Sequence, residues 1–259
     1  MIVNQSSTLP SAIIMKDLKK SFDGKEFVLS GIDLQIPRGK ITVVIGFSGT
    51  GKSVLLKHIL GLWKPTSGYI EVLGQDLSKL KPHQLTIFRR RYGVLFQGSA
   101  LFDDMTVLEN VCFPLDEHRR DLAKDKVIAI ASEKLKEVGI DPKHMHKLPN
   151  QISGGMQKRV GLARALALDP EILIYDEPTT GLDPILTEMV DNLIVTTHNR
   201  KQGITSIVVS HDLAAAFRIG DYVAMLDSGK VLLFGTPEIF LNSDVDLVRR
   251  FVSKGMRRE

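Results

Sequence analysis

The 259-residue chain has one cysteine, Cys112, and one tryptophan, Trp63. A single thiol cannot close an intrachain disulfide, so a secreted fold held by bridges is excluded and packing must hold the fold. No run approaches the roughly 18 consecutive apolar residues of a membrane-spanning helix. Low-complexity tracts and fixed-period repeats are missing too, which excludes fibrous and solenoid architectures. Charge of one sign is barely in excess: Lys+Arg number 34 against 30 Asp+Glu, a net charge of +4. That balance suits an anionic membrane surface or a polyphosphate and demands neither. The segment Met1–Met15 lacks the basic head, apolar run and small-residue cleavage site of an export signal. It is expected to be a loose tail, on a protein of the cytoplasm or the cytoplasmic face of a membrane.

What is present is ordinary for a globular protein, 43% hydrophobic and 25% charged residues, in a chain long enough to bury a large core. Short apolar runs alternate with helical patterns, the mark of α/β layers. Strands are expected at Ala12–Leu18, Phe27–Ile36, Ile41–Ile45, Tyr69–Leu73, Tyr92–Phe96, Ile172–Tyr175, Thr205–Val209, Tyr222–Asp227 and Lys230–Phe234. Helices are expected at Lys52–Gly61, Leu122–Val138, Gly155–Ala167, Pro184–Lys201, Leu213–Ile219 and Asp246–Val252. In the early region Ile32, Leu34 and Ile36 alternate as on a half-buried sheet. Ile41–Ile45 and Ile172–Tyr175 are apolar throughout, as in central strands buried on both faces. From about Ser99 to Leu148 the pattern is helical without strand. The expected organisation is one domain: an α/β core from 12–98 and 165–235, a helical subdomain from about 99–164, and C-terminal helices in 236–259.

Gly46-Phe47-Ser48-Gly49-Thr50-Gly51-Lys52-Ser53 fits G-x-x-x-x-G-K-[ST] and sits between a buried strand and a helix, the context a phosphate-binding loop requires. Its glycines let successive N–H groups turn toward phosphate oxygens, and the helix beginning near Lys52 adds its positive end. Lys52 is expected to reach the β- and γ-phosphates of ATP and Ser53 to ligate Mg²⁺. At Val54, where many such loops carry a second hydroxyl, one contact to the α-phosphate is expected to be absent.

Ile172-Leu173-Ile174-Tyr175-Asp176-Glu177 is a buried strand ending in two acids. Acids there are costly to bury without a cation beside them. Asp176 is the expected Mg²⁺ ligand, and Glu177 the group that polarises the attacking water. The plainer alternative is a strand-end acid that caps the next helix.

Ile152-Ser153-Gly154-Gly155-Met156-Gln157 places a serine and two glycines at a helix N-terminus, a second anion-binding device. One chain has little use for two phosphate grips unless two chains share the nucleotides. The combination resembles the ATP-binding cassette (ABC) ATPases, whose signature is LSGGQ and whose ATP is sandwiched between the P-loop of one subunit and the signature of its twin. The family's other landmarks match in order. Gln97 resembles the glutamine that contacts Mg²⁺, Gly181-Leu182-Asp183 the loop that crosses the dimer interface, and His211 the switch histidine. Phe22 sits where the family stacks an aromatic ring on adenine; taken alone it reads as core. The resemblance implies a P-loop NTPase (RecA-like) core with an N-terminal antiparallel β subdomain and an inserted α-helical subdomain. It also implies ATP hydrolysis with Mg²⁺ in a dimer, with Glu177, His211, Lys52 and Gln97 catalytic. Phe22, Gly46, Ser48, Gly49, Thr50, Gly51, Lys52, Ser53, Val54, Ser153, Gly154 and Gly155 would hold nucleotide, and Ser53, Gln97 and Asp176 the metal. The departures are Ile152, Met156 and Phe22, where Leu, Gln and Tyr are commoner.

After Gln97 the stretch Gly98–Val111, followed by Pro114-Leu115-Asp116-Glu117-His118, looks like the Mla-type ATPases of phospholipid traffic between bacterial membranes. The implied partners are a transmembrane permease docking near Leu101, Phe102 and Met105, a lipid-binding subunit and a small regulatory subunit, at the cytoplasmic face of the inner membrane. Those three residues could instead pack inside the helical subdomain. An importer ATPase for a small solute such as an amino acid shares every catalytic motif and is the competing reading. A DNA-repair or translation ATPase would carry a coiled-coil insertion or two fused cassettes, and a P-loop kinase has no need of Ser153-Gly154-Gly155. Arg89-Arg90-Arg91 and Arg257-Arg258 read as solvated faces or weak attractors of anionic lipid rather than nucleic-acid grips. Cys112 and Trp63 read as packing residues, and the histidines show no metal-ligand spacing.

Overall fold

The computed structural model describes residues 9–255; Met1–Thr8 of the expected tail and Arg257 and Arg258 lie outside the described residues, and Ser11–Met15 of that tail is instead strand, with Ala12, Ile13 and Met15 buried. In chain order the elements are β1 (Ser11–Ser21), β2 (Phe27–Pro37), β3 (Ile41–Ile45), α1 (Lys52–Ile59), β4 (Ser67–Val72), β5 (Gln75–Asp76), α2 (Pro82–Arg89) and β6 (Tyr92–Leu95). Next come α3 (Val107–His118), α4 (Lys124–Glu137), α5 (Gly154–Leu166), β7 (Ile172–Asp176) and α6 (Pro184–Arg200). The chain closes with β8 (Thr205–Val209), α7 (Leu213–Ile219), β9 (Tyr222–Asp227), β10 (Lys230–Gly235), α8 (Pro237–Leu241) and α9 (Asp246–Gly255). They fall into two compact units, Met1–Arg89 with Gln202–Glu259, and Arg90–Lys201.

In the first unit an antiparallel sheet runs β2-β1-β4-β5. Ile13 faces Ile36 and Met15 faces Leu34 across β1 and β2, and all four are buried, so the alternation seen in the sequence is the inward face of this sheet. The unit also holds β10, β9, β3 and β8 side by side in that order. β3 runs parallel to both β8 and β9, with Val43 opposite Val208 and Val223. All residues of β3 and β8 are buried, as expected of parallel strands covered on both faces.

In the second unit β6 and β7 pair in parallel, Tyr92 with Ile172 and Leu95 with Tyr175. Helices α3, α4 and α5 pack on one another, and α5 lies on β6. α4 buries Val127, Ala131 and Leu135, one residue per turn on a single stripe. α6 starts on Asp183, whose carboxylate accepts from Leu186 N at 2.9 Å, with Pro184 at its first position.

The list of expected helices omits three, although α3 lies within the 99–148 stretch expected to be helical. α3 carries Pro114 inside it, which reads as a breaker. Its start was nonetheless written in the chain: Thr106 accepts from Glu109 N at 3.2 Å while Glu109 accepts from Thr106 N at 2.7 Å, the reciprocal T-x-x-E cap. α2 and α8 are short, and each begins at a proline. The arginine run is also corrected. Arg89 donates to the carbonyls of Leu60 and Gly61 at 3.2 and 2.7 Å, and Arg91 pairs with Glu171 at 2.6 Å. These two pin backbone and a neighbouring strand end; of the three, Arg90 alone is exposed.

A methyl group at Gly93 would lie 2.3 Å from Ala165 O and 2.8 Å from Leu173 Cδ1. Backbone there cannot yield cheaply, because α5 is seated directly on β6. Gly93→Ala is therefore expected to lower unfolding stability by about 1–3 kcal/mol, read by denaturant titration; a variant as stable as the parent would mean that the helix seat is looser than drawn.

Candidate functional site

The glycine loop Gly46–Ser53 belongs to the first unit and joins β3 to α1. Gly51 stands at the N-cap of α1 with φ 101°, a conformation that only glycine adopts without strain. A Cβ at Gly46 would meet Leu226 O at 2.5 Å and Thr50 Oγ1 at 2.7 Å, so the turn closes because nothing fills that space. The Lys52 ammonium is buried and donates to the carbonyls of Gly46 and Phe47 at 2.8 and 3.1 Å, and Thr50 Oγ1 donates to Phe47 O at 2.9 Å. Ser48, Gly49 and Ser53 are exposed and Val54 is half-buried. A glycine-shaped turn, a lysine folded over it and a helix N-terminus make a cradle that fits a polyphosphate.

Phe22 is 59% exposed, so it is a surface ring and not core. It meets Trp63 edge-on at 4.9 Å, and the Lys57 ammonium lies 4.2 Å from the Trp63 ring centre. Trp63 packs, as expected, and what it packs against is the Phe22 platform. At the C-terminal side, Phe251 of α9 meets the loop residue Phe47 edge-on at 5.1 Å. His211 is exposed in the turn between β8 and α7. That turn is fixed by Asp212, whose carboxylate caps α7 by accepting from Ala214 N and Ala215 N at 2.9 and 3.2 Å.

The second unit holds the other candidates. Asp176 ends β7 half-buried. Glu177 follows with φ 46°, a strained geometry for a non-glycine residue and one that clusters at working sites. Thr180 Oγ1 donates to Glu177 Oε2 at 2.9 Å. Ser153 caps α5, its oxygen accepting from Met156 N at 3.3 Å, which leaves its hydroxyl hydrogen for an outside acceptor. Gly154 is exposed and Gly155 half-buried. Ile152 is buried, so the exchange of Leu for Ile at the signature keeps an apolar anchor. Gln97 is exposed just past β6. Ser53 in the first unit, and Gln97 and Asp176 in the second, each carry a side-chain oxygen of the kind that Mg²⁺ takes.

The segment after Gln97 is irregular, with Ser99 at φ 61° and Ala100 at φ 47°. Two polar side chains that sequence reasoning passed over build it. Asn110 is fully buried. Its Nδ2 donates to the carbonyls of Phe102, Met105 and Thr106 at 3.1, 3.0 and 3.0 Å, and its Oδ1 accepts from Phe102 N at 2.9 Å. Arg164 of α5 donates to Ala100 O and Ser99 O, both at 2.8 Å, and lies 5.7 Å from the Phe102 ring centre. On this frame Phe102 and Phe113, 38% and 36% exposed, stand 4.7 Å apart, while Leu101 and Met105 are half-buried. Cys112 is buried, and burial pushes its thiol up to about 11, so it is no nucleophile.

A cleft of about 280 Å³ opens among the ends of α4, α5 and α6. Its charges are matched: Lys134 and Lys201 lie 3.2 and 3.1 Å from Asp169. None of the phosphate-binding or acidic candidates lines it.

Residues 29–180 match the ABC transporter family model. The chain belongs to the ABC transporter family. This ABC ATPase is 41% identical to the probable ribonucleotide transport ATP-binding protein mkl of Mycobacterium leprae, over 93% of its own length and 69% of that relative. It is 41% identical to the intermembrane phospholipid transport system ATP-binding protein MlaF of Haemophilus influenzae, covering 85% and 82%. It is also 41% identical to the methionine import ATP-binding protein MetN of Caulobacter vibrioides, covering 93% and 72%. Its fold matches the dimeric ATP-binding cassette MJ0796 bound to ADP and Pi with a TM-score of 0.77 at 34% identity, over 86% of this chain and 98% of that one. It is thus an ATP-binding, ATP-hydrolysing transporter subunit, and no helix among its described residues is long and apolar enough to cross a membrane.

Asn110→Ala would remove the side-chain donor to Met105 O and the second donor to Phe102 O and Thr106 O, which keep the backbone N–H groups of Met105 and Asn110, and would take the acceptor from Phe102 N. It is expected to cost about 1–3 kcal/mol and to speed amide exchange of Phe102 before that of α3; unchanged protection at Phe102 would show that Arg164 alone holds the loop.

Proposed function

We propose that this cassette drives phospholipid movement between two membranes as the ATPase subunit of an Mla-type transporter, from the cytoplasmic face of the inner membrane. The observation that carries this reading is the segment Leu101–Val111 on its Asn110 and Arg164 frame, together with the identity to MlaF along most of that relative's length. A small-solute importer is the second reading, favoured by the equal identity to MetN.

In either transporter the cassette's own residues act alike. The Gly46–Ser53 turn binds the triphosphate, with Lys52 drawn onto the β- and γ-phosphates and Phe22, braced by Trp63, against the adenine. Ser53, Gln97 and Asp176 hold Mg²⁺, which supplies charge neutralisation of the transferring phosphoryl group. Glu177 takes the proton of the attacking water, and His211 holds the γ-phosphate. Ser153, Gly154 and Gly155 grip the nucleotide of a second copy. Exposed Phe102 with Phe113, flanked by Leu101 and Met105, offers the permease an apolar seat rimmed by Asp103 and Asp104. A lipid-binding subunit and a small regulatory subunit complete the assembly, which includes no nucleic acid.

Glu177→Gln is expected to keep ATP affinity, lose roughly 10²–10⁴ in turnover and accumulate as a dimer on sizing with ATP; parent-rate hydrolysis would remove Glu177 as the base. Lys52→Ala is expected to weaken ATP binding at least tenfold by titration calorimetry, and unchanged affinity would overturn the phosphate-loop assignment. A gentle pull-down from native membranes separates the transporter readings: a permease with a lipid-binding subunit and phospholipid supports the first, and a permease with a soluble solute-binding protein replaces it with the second.

A further inference from the structure

Lys158 sits in the second turn of α5, behind the signature, and is only 6% exposed. Its ammonium donates to Gln97 O at 3.0 Å and, by a short hydrogen bond, to Pro178 O. Among the described residues these two carbonyls are its hydrogen-bond partners. Burial pulls the ammonium below the usual lysine range. A lone buried cation is costly unless its donors are used, and here two of its three serve backbone that belongs to no regular element. The two carbonyls are not arbitrary. One belongs to Gln97 itself. The other follows Glu177, whose strained backbone at φ 46° depends on its neighbours to hold its carboxylate in place.

We propose that Lys158 is a positioning residue for ATP hydrolysis, tying the signature helix to the backbone that carries Gln97 and Glu177. One side chain thereby makes the aim of Gln97 and of the Glu177 carboxylate follow any shift of α5. The lysine is suited to this task because a single flexible tip must satisfy two carbonyls from different segments; an apolar residue would leave both unpaired. Nucleotide affinity, which rests on the Gly46–Ser53 turn, does not run through it. The proposal rests on Glu177 being the base.

The test is steady-state ATPase on the full chain carrying Lys158→Met, which keeps length and removes the donors, beside Lys158→Arg, which keeps a cation, and Glu177→Gln. Melting temperature and ATP dissociation constant are measured for each. The expected result is a fall in kcat of fivefold or more for Lys158→Met, with KM and the dissociation constant for ATP within twofold of the parent, and recovery of at least a third of the parent kcat in Lys158→Arg. A smaller fall in Lys158→Met, no recovery in Lys158→Arg, or parallel losses of kcat, ATP affinity and melting temperature in both variants would overturn it. An inactive Glu177→Gln beside a fully active Lys158→Met removes only the role of Lys158, whereas an active Glu177→Gln removes the base assignment beneath it.

Discussion

Carbonyl groups left over where the chain departs from helix and strand set the terms for the rest of this molecule. A buried carbonyl without a donor costs free energy comparable to a lost hydrogen bond, yet catalytic loops must be irregular to present their side chains. The chain resolves the conflict with long polar side chains sent from regular elements. Lys52 serves Gly46 O and Phe47 O, Arg89 serves Leu60 O and Gly61 O, and Arg164 serves Ser99 O and Ala100 O. Asn110 does the same for Phe102 O, Met105 O and Thr106 O, and Lys158 for Gln97 O and Pro178 O. Cationic and amide donors suit this task because they reach several acceptors from one tip.

This pattern explains how an ATPase can hold strained geometry without losing its fold. Glu177, Ser99 and Ala100 all take positive φ as non-glycine residues, and each lies next to or among carbonyls gripped from a helix. The strain is localised, and the helices that supply the grips are themselves fixed by apolar stripes and caps. Helix α5 has a double part. Its first residues form the signature, and Lys158 and Arg164 further along it hold two working loops.

Much of this was legible in the sequence. The strands other than the two-residue β5, the glycine loop and the paired acids follow from period, composition and spacing, because β3 and β7 are apolar up to the acid that ends β7 and Gly46–Ser53 has a chemistry that few other sequences supply. The stretch holding α3 read as helical, but Pro114 hid the bounds of that helix, although its Thr106–Glu109 cap was readable. Asn110, Lys158 and Arg164 were not legible as loop builders. Asparagine, lysine and arginine in helical stretches look like solvated faces, and only burial distinguishes them. The arginines flanking β6 misled for the same reason.

The sequence by itself determined the α/β class, the glycine loop between strand and helix, the two acids at the end of β7 and the family, since these depend on local periodicity and on residues adjacent in the chain. Tertiary structure alone decided that Phe22 is an exposed ring braced by Trp63, that Arg89 and Arg91 are structural, and that a buried lysine in the signature helix reaches the backbone of Gln97 and Pro178. Those outcomes depend on which side chains are desolvated together, and desolvation is a property of neighbours in space that no spacing along the chain encodes.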